Sequence, residues 1–535
     1  MSESTKKQTF LHGAALLAMA TAVVKLIGAF YKIPLKMIIG DQGYGYFITA
    51  YDVYSVLLLI STAGLPVAMS RMISQANALN NHNQVRRVYR TARGIFLGLG
   101  IVSSLFMVLA SDWLANTVLM QPNAATAIAC LGPCALFMGV ISTFRGFFQG
   151  HGNMRPTSAS QVLEAAVKLL VGLGLAFFVM RRYNSVPLAA AGAILGVTTS
   201  CLVSAVFLYG KFRPAYRELG AEGEPAWSAG KTAKSLLAIA VPITIGSAGL
   251  QLLTVLEQKL YMSQLLTANG LSQDMADTMK GIYSMTMTIY NMPCAFIVPI
   301  AISVIPAITN HLTLKNNRGV RETEESAARI AGLISLPCAV GLCLLARPIM
   351  ALLGGYTGEK LALATQLMSV LGLCVFLDAV IQYTNALMQA HGFAHVPVVN
   401  MLLAGACKLA VVYILVGNPN LGILGAPIGA VLGYTAIASM NLLAIRRLVP
   451  QKPALLTNLL RPVLPAVIMG AAVFGSYQGL AAILGRDGSR VLLCGLPILV
   501  GVVVYCIAVV KCKAITAEDC QLLPKGDKIA KLLKL

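Results

Sequence analysis

Apolar residues run along this chain in blocks of about 20 to 30, parted by short polar stretches, from Phe10 to Lys511. Each block is long enough to cross the hydrocarbon of a bilayer as a helix, and none shows the ten-residue alternation of a membrane strand. The blocks fall at about 10–38, 46–76, 93–117, 124–149, 157–180, 187–210, 235–262, 281–309, 328–353, 362–390, 398–416, 422–445, 457–483 and 490–511. The pattern predicts an all-α polytopic membrane protein with about fourteen transmembrane helices.

Composition agrees. A chain of 535 residues that is 57% hydrophobic, only 11% charged and of mean hydropathy +0.75 has too little polar surface to clothe soluble domains. The formal net charge of +21 suggests nucleic acid at first sight, but most Lys and Arg stand in short connections between blocks. Alternating the connections between two sides puts roughly two dozen bases on one and about eight on the other, so both termini are expected in the cytoplasm and the protein in the cytoplasmic membrane. No nucleic-acid partner is expected. Ser2–Lys7 and the apolar run after it resemble a signal peptide, yet the pattern continues unbroken, so the run is read as an uncleaved first span. The basic tail from Lys511 is expected on the inner leaflet or in solvent. The twelve cysteines form no CxxC pair and have no histidine at metal spacing, which makes them small core residues.

Shifting the chain by 240 residues superimposes FFQGHG on LMQAHG, with Gln149 on Gln389, His151 on His391 and Lys168 on Lys408; shifting by 233 superimposes PVAMS (66–70) on PIAIS (299–303). Two parallel six-helix repeats follow, with an extra helix pair outside them. The expected division is 1–210 for the first lobe, 211–233 for a cytoplasmic linker, 234–447 for the second lobe, 448–511 for the pair and 512–535 for a cytoplasmic tail. Pro34, Pro66, Pro242 and Pro299 fall within apolar blocks, where they are expected to kink or hinge helices.

Fixed charges inside spans carry the functional signal, because lipid penalises them unless they face a cavity or partner. Lys25, Ala29, Lys32 and Lys36 share one helical face, and Asp52 and Arg71 follow in the next block. Lys408 joins them, giving Lys25, Lys32, Arg71, Lys408 and Asp52 as the candidate substrate-binding residues. Glu164 with Lys168, and Glu257 with Lys259, are spaced as ion pairs. Arg145 ends its block and is expected to snorkel. The basic excess favours an anionic substrate. GxSxG, HExxH and Walker patterns are absent and the six histidines lack metal spacing, so no enzyme, metal or cofactor is expected. A coupling ion, sodium or proton, is left open.

GDQGYGYFITAYDVYSVLLLISTAGLPVAMSRMISQ and FRGFFQGHGNMRPTSASQVLEAAVKL resemble the stage V sporulation protein B-like polysaccharide exporters of the multidrug/oligosaccharidyl-lipid/polysaccharide flippase superfamily, with a more distant similarity to MurJ. The resemblance spans essentially the whole chain. It implies transbilayer movement of an undecaprenyl-pyrophosphate-linked sugar by alternating access around a basic cavity, with Lys25 matching the family's first-helix cation. The second cation of the MurJ pattern falls at Tyr31, beside Lys32, and the eighth block, 281–309, lacks the arginine of MurJ-like proteins. The implied partners are an anionic lipid-linked sugar and membrane lipids, with the chain acting as a monomer. Alternatives are a cation-coupled multidrug exporter of the same superfamily and a membrane-embedded glycosyltransferase or polymerase.

Overall fold

The computed structural model describes residues 3–62, 64–220, 224–485, 488–516 and 519. Helices carry nearly all of them, and no strand occurs among the described residues. The long helices are α1 (Glu3–Thr62), α2 (Leu65–Ala78), α3 (His82–Leu109), α4 (Ala125–Gly150), α5 (Arg155–Tyr183), α6 (Val186–Arg217), α7 (Ala229–Thr267), α8 (Gln273–Thr313), α9 (Asn317–Leu344), α10 (Gly358–Ala390), α11 (His395–Gly417), α12 (Gly425–Leu448), α13 (Val463–Leu484) and α14 (Arg490–Lys511). Ten of them, α3–α6 and α9–α14, are long and apolar enough to cross a membrane among the described residues. Large apolar side chains such as Leu170, Phe178, Leu464 and Val503 are exposed along them, which water would not tolerate at this density and lipid favours. The chain is an all-α, multi-pass membrane protein.

As one straight helix the 60 residues of α1 would run about 90 Å, three times the hydrocarbon thickness. Gly40 breaks it into two arms with φ 71° and ψ −174°, a backbone conformation that a side chain would oppose. The break in this stretch lies at Gly40, and Pro34 stands inside the first arm. Pro66 is corrected: it stands in the first turn of α2, where a missing N–H loses no hydrogen bond, and so starts a helix instead of kinking one. The side chains of Pro242 and Pro299 lie outside the described residues.

The internal repeat recurs in backbone detail. Asn81 and Asn316 each cap a 28-residue helix by accepting from the N–H three residues on, Gln84 at 2.9 Å and Gly319 at 3.0 Å. The residues before them, Asn80 and Lys315, share left-handed φ values of 52° and 53°. At the other end of the repeat, Gly152 and Gly392 both take positive φ directly after His151 and His391, closing the same helix-ending turn.

Contacts divide the chain into two compact units, Met1–Leu266 with Leu271–Gly281, and Thr267–Gly270 with Ile282–Leu535. In the first, α5 and α6 cross where Gly196 meets Gly172 so closely that a Cβ on Gly196 would lie 2.2 Å from the Gly172 Cα. In the second, Val304, Ala328, Tyr383, Leu387, Ile437 and Leu459 share one buried apolar core.

Candidate functional site

The second arm of α1 and the first turns of α8 meet inside the first unit, and both carry polar residues at their contact. Asp277, wholly buried, accepts from the Tyr46 hydroxyl at 3.0 Å and from the side-chain amides of Gln121 and Gln273 at 2.9 and 3.0 Å. Thr49 hydrogen-bonds the carbonyl oxygen of the Gln121 side chain, and Gln258 Nε2 of α7 donates to Thr49 Oγ1 at 3.0 Å. Each donor points along the chain of bonds toward Asp277, so a buried carboxylate is satisfied by neutral groups from three parts of the chain. Gly281 makes the approach possible, because a Cβ there would sit 1.9 Å from the Asp41 carbonyl oxygen. Gly281→Val is expected to force α8 off α1 and lower membrane abundance, read by quantitative immunoblot; unchanged abundance would contradict that contact.

One turn beyond Asp277, Lys280 is 1% exposed and stands 3.9 Å from Asp52, with its ammonium 5.8 Å from the Tyr261 ring centroid. Asp52 also attracts Lys32, and Lys32 is repelled by Lys168. Lys168 Nζ lies over the rings of Tyr31 and Tyr51, at 5.8 and 5.9 Å from their centroids. Tyr31, Phe47, Tyr51 and Tyr54 form a continuous aromatic wall behind it. Lys280 and Lys32 thus gather about Asp52, with Lys168 beside Lys32, and no ion pair shorter than 3.9 Å holds any of the three ammoniums among the described residues. Ammoniums held this loosely keep hydrogen-bond donors to spare.

The neighbouring charges are committed. Lys36 is buried and paired with Asp41 at 3.2 Å, so it does not reach for the headgroups. Glu164 forms its salt bridge with Arg145 at 3.0 Å, and Arg145 Nε also donates to Ser160 at 3.1 Å. Arg145 therefore does not snorkel, and it is the close partner of Glu164, because the planar guanidinium from the facing helix binds the carboxylate with better geometry than a lysine on the same helix, while Lys168 is attracted by Glu164 from beside the aromatic rings. Glu257 and Lys259 diverge by about 200° around α7 and do not face one another; Glu257 acts electrostatically on Asp52 and Tyr261, while Lys259 is exposed. Arg71 is exposed on α2 and takes no part in the cluster. Lys408 belongs to the second unit, where its ammonium lies 5.7 Å from the Tyr434 ring centroid. The Lys25 side chain lies outside the described residues.

Lys280 is the cation that sequence reading missed. Hydropathy places it in a connection, because the apolar run begins at Gly281, whereas α8 begins at Gln273 and carries Lys280 two turns into a helix. His/Cys/Asp/Glu groupings able to hold a metal ion are absent among the described residues.

Residues 10–311, more than half of the chain, match the family model described as polysaccharide biosynthesis protein. The chain belongs to that family. Within the polysaccharide biosynthesis proteins and their kin, stage V sporulation protein B of Bacillus subtilis (strain 168) is 24% identical over 448 residues, covering 83% of this chain and 85% of its own. Lipid II flippase MurJ of the same strain is 23% identical over 453 residues, covering 82% of each. The solved structure of lipid II flippase MurJ in an inward closed conformation superposes with a TM-score of 0.67 at 14% identity, over 92% of this chain and 98% of that one. The fold is of the MurJ type, and the resemblance to the multidrug/oligosaccharidyl-lipid/polysaccharide flippase superfamily is borne out. MurJ is named for a flippase activity, which is transport and not enzymatic catalysis.

Proposed function

We propose that this family member moves an undecaprenyl-pyrophosphate-linked sugar, a lipid II-like or polysaccharide unit, across the cytoplasmic membrane by alternating access, with the lobes of residues 1–210 and 234–447 as its moving parts. The observation that carries the reading is the gathering of Lys280 and Lys32 about Asp52, with Lys168 beside Lys32. A pyrophosphate offers several anionic oxygens, and ammoniums that are not held in close ion pairs gain more from it than committed pairs would. The half-buried Lys32 and Lys168 then receive the phosphates while the buried Lys280 holds Asp52 back. Lys25, seven residues before Lys32 in the sequence, stays a candidate for the same role. The aromatic wall suits a sugar face.

An exporter of cationic drugs would meet the ammoniums of Lys32, Lys168 and Lys280 in that site, which disfavours that alternative. Depleting the protein should cause one undecaprenyl-pyrophosphate-linked precursor to accumulate on the cytoplasmic face, identified by mass spectrometry of the lipid fraction. A normal precursor pool would remove the proposal.

The orientation we propose places both termini in the cytoplasm. With the exposed Cys407 and Cys506 replaced by serine, Thr357→Cys should react with an impermeant maleimide added outside intact cells, and Leu314→Cys should not. The reverse pattern would invert the topology.

A further inference from the structure

Away from the lysine cluster, a cavity of about 420 Å³ opens in the second unit where α12 gives way to the segment leading to α13. Leu442, Ile445 and Arg446 line it from the end of α12, and Lys452, Leu456 and Thr457 from that segment. Arg446 and Lys452 are both exposed, and neither is held by an ion pair among the described residues. The carboxylate that reaches the rim is already engaged: Glu325 accepts from Arg321 Nε at 2.9 Å and from the Ala454 N–H at 3.1 Å. The mouth is therefore cationic and the flank apolar, with Leu456 and Leu460 exposed beside it.

The cavity wall is fixed from behind. Leu455 and Leu459, on the inner face of the short helix Leu455–Leu460, are buried in the core of the second unit. Gly332 of α9 lets the helix close in, since a Cβ there would lie 2.2 Å from the Leu459 carbonyl oxygen. Asn458 accepts from Arg329 Nη1 at 2.8 Å, which locks the same helix to α9. Lys452 itself holds a left-handed φ of 45°, a conformation that lysine adopts less readily than glycine or asparagine. Charge, apolar flank and a wall anchored in advance occur together at the end of a membrane span.

We infer that this cavity binds an anionic membrane phospholipid, its phosphate between Arg446 and Lys452 and its acyl chains over Leu456 and Leu460. A zwitterionic lipid carries an ammonium that the basic mouth repels, and inorganic phosphate has no use for the leucines. At the interface each basic residue contributes modestly, so losing one should weaken binding about fivefold and losing both about thirtyfold.

The test uses full-length protein purified in detergent and titrated with dioleoylphosphatidylglycerol, dioleoylphosphatidylcholine or sodium phosphate, with bound lipid counted by native mass spectrometry. Phosphatidylglycerol should bind in preference to phosphatidylcholine, and phosphate should not compete at millimolar concentration. Arg446→Gln with Lys452→Gln should lose about thirtyfold in affinity, Arg446→Lys with Lys452→Arg should retain it, and Arg181→Gln with Arg182→Gln, a basic pair ending a different span, should match the parent. Melting in lipid-free detergent checks that the variants fold. Equal binding of the two lipids, competition by phosphate, or undiminished binding to the folded double-glutamine protein would each overturn the site. If the double-glutamine protein does not fold, the parent decides between the first two outcomes, and a Leu456→Trp protein whose fluorescence is not quenched by phosphatidylglycerol with brominated acyl chains would also overturn it.

Discussion

Lys32→Ala combined with Lys168→Ala should abolish complementation of a depleted strain while leaving membrane abundance near that of the parent. Each charge-assisted contact to a phosphate contributes roughly 1.5 to 3 kcal/mol, so each single variant should weaken substrate binding by about ten to a hundredfold. Lys280→Ala should act through its partner: without that ammonium, Asp52 is free to pair with Lys32 and to compete with the substrate. Asp52→Asn is expected to go the opposite way, tightening binding of an anionic substrate several-fold while slowing its release and hence turnover. A structural role for the lysines predicts something else, namely lost abundance in step with lost activity. The exposed Lys360→Ala is the control, and abundance, binding and complementation are measured in the same membranes.

Arg329→Ala should destabilise the second unit as severely as any single change in the chain. Arg329 reaches Asp519 through Nε to both carboxylate oxygens at 3.0 Å and through Nη2 at 2.8 Å, while Nη1 donates to Asn458 at 2.8 Å. Ser326 also hydrogen-bonds Asp519, which is wholly buried. Removing one partner of such a pair leaves the other charge buried without compensation, at a cost of about 3 to 5 kcal/mol. Asp519→Ala should lower the melting temperature similarly, and the double variant should lose much less than the sum because both changes break one interaction. Fluorescence-detected size-exclusion chromatography after heating measures this. Melting unchanged from the parent in either single variant would mean that the C-terminal segment is not anchored there.

The fold was legible because lipid leaves the backbone little choice: hydrophobic blocks of spanning length become helices whatever their side chains are. The repeat was legible from its turns, where His151-Gly152 and His391-Gly392 end helices in the same left-handed conformation. Charge pairing was harder to read, since spacing along one helix says nothing of a facing helix. Glu164 therefore looked like a partner for Lys168 and bonds Arg145 across the helix interface. Hydropathy also misplaced the start of α8, because a helix continues through polar residues that its neighbours satisfy. Asp277 and Lys280 are two such residues, and the Tyr46, Gln121 and Gln273 donors that keep Asp277 inside come from sequence positions far apart. The break in α1 is hard to read from sequence for a related reason. Proline is conspicuous in an apolar run, whereas Gly40 declares itself only through its φ of 71°.

Transbilayer movement of a fluorescent undecaprenyl-pyrophosphate-linked sugar should be followed in proteoliposomes holding equal amounts of folded parent or Lys32→Ala, Lys168→Ala protein, with an uncharged polyprenyl-linked sugar as comparison. The parent should flip the pyrophosphate lipid well above protein-free vesicles and discriminate against the uncharged one, and the double variant should fall to background. Equal movement of the charged lipid by parent and double variant would contradict the assignment of the Asp52 lysine cluster as the pyrophosphate site.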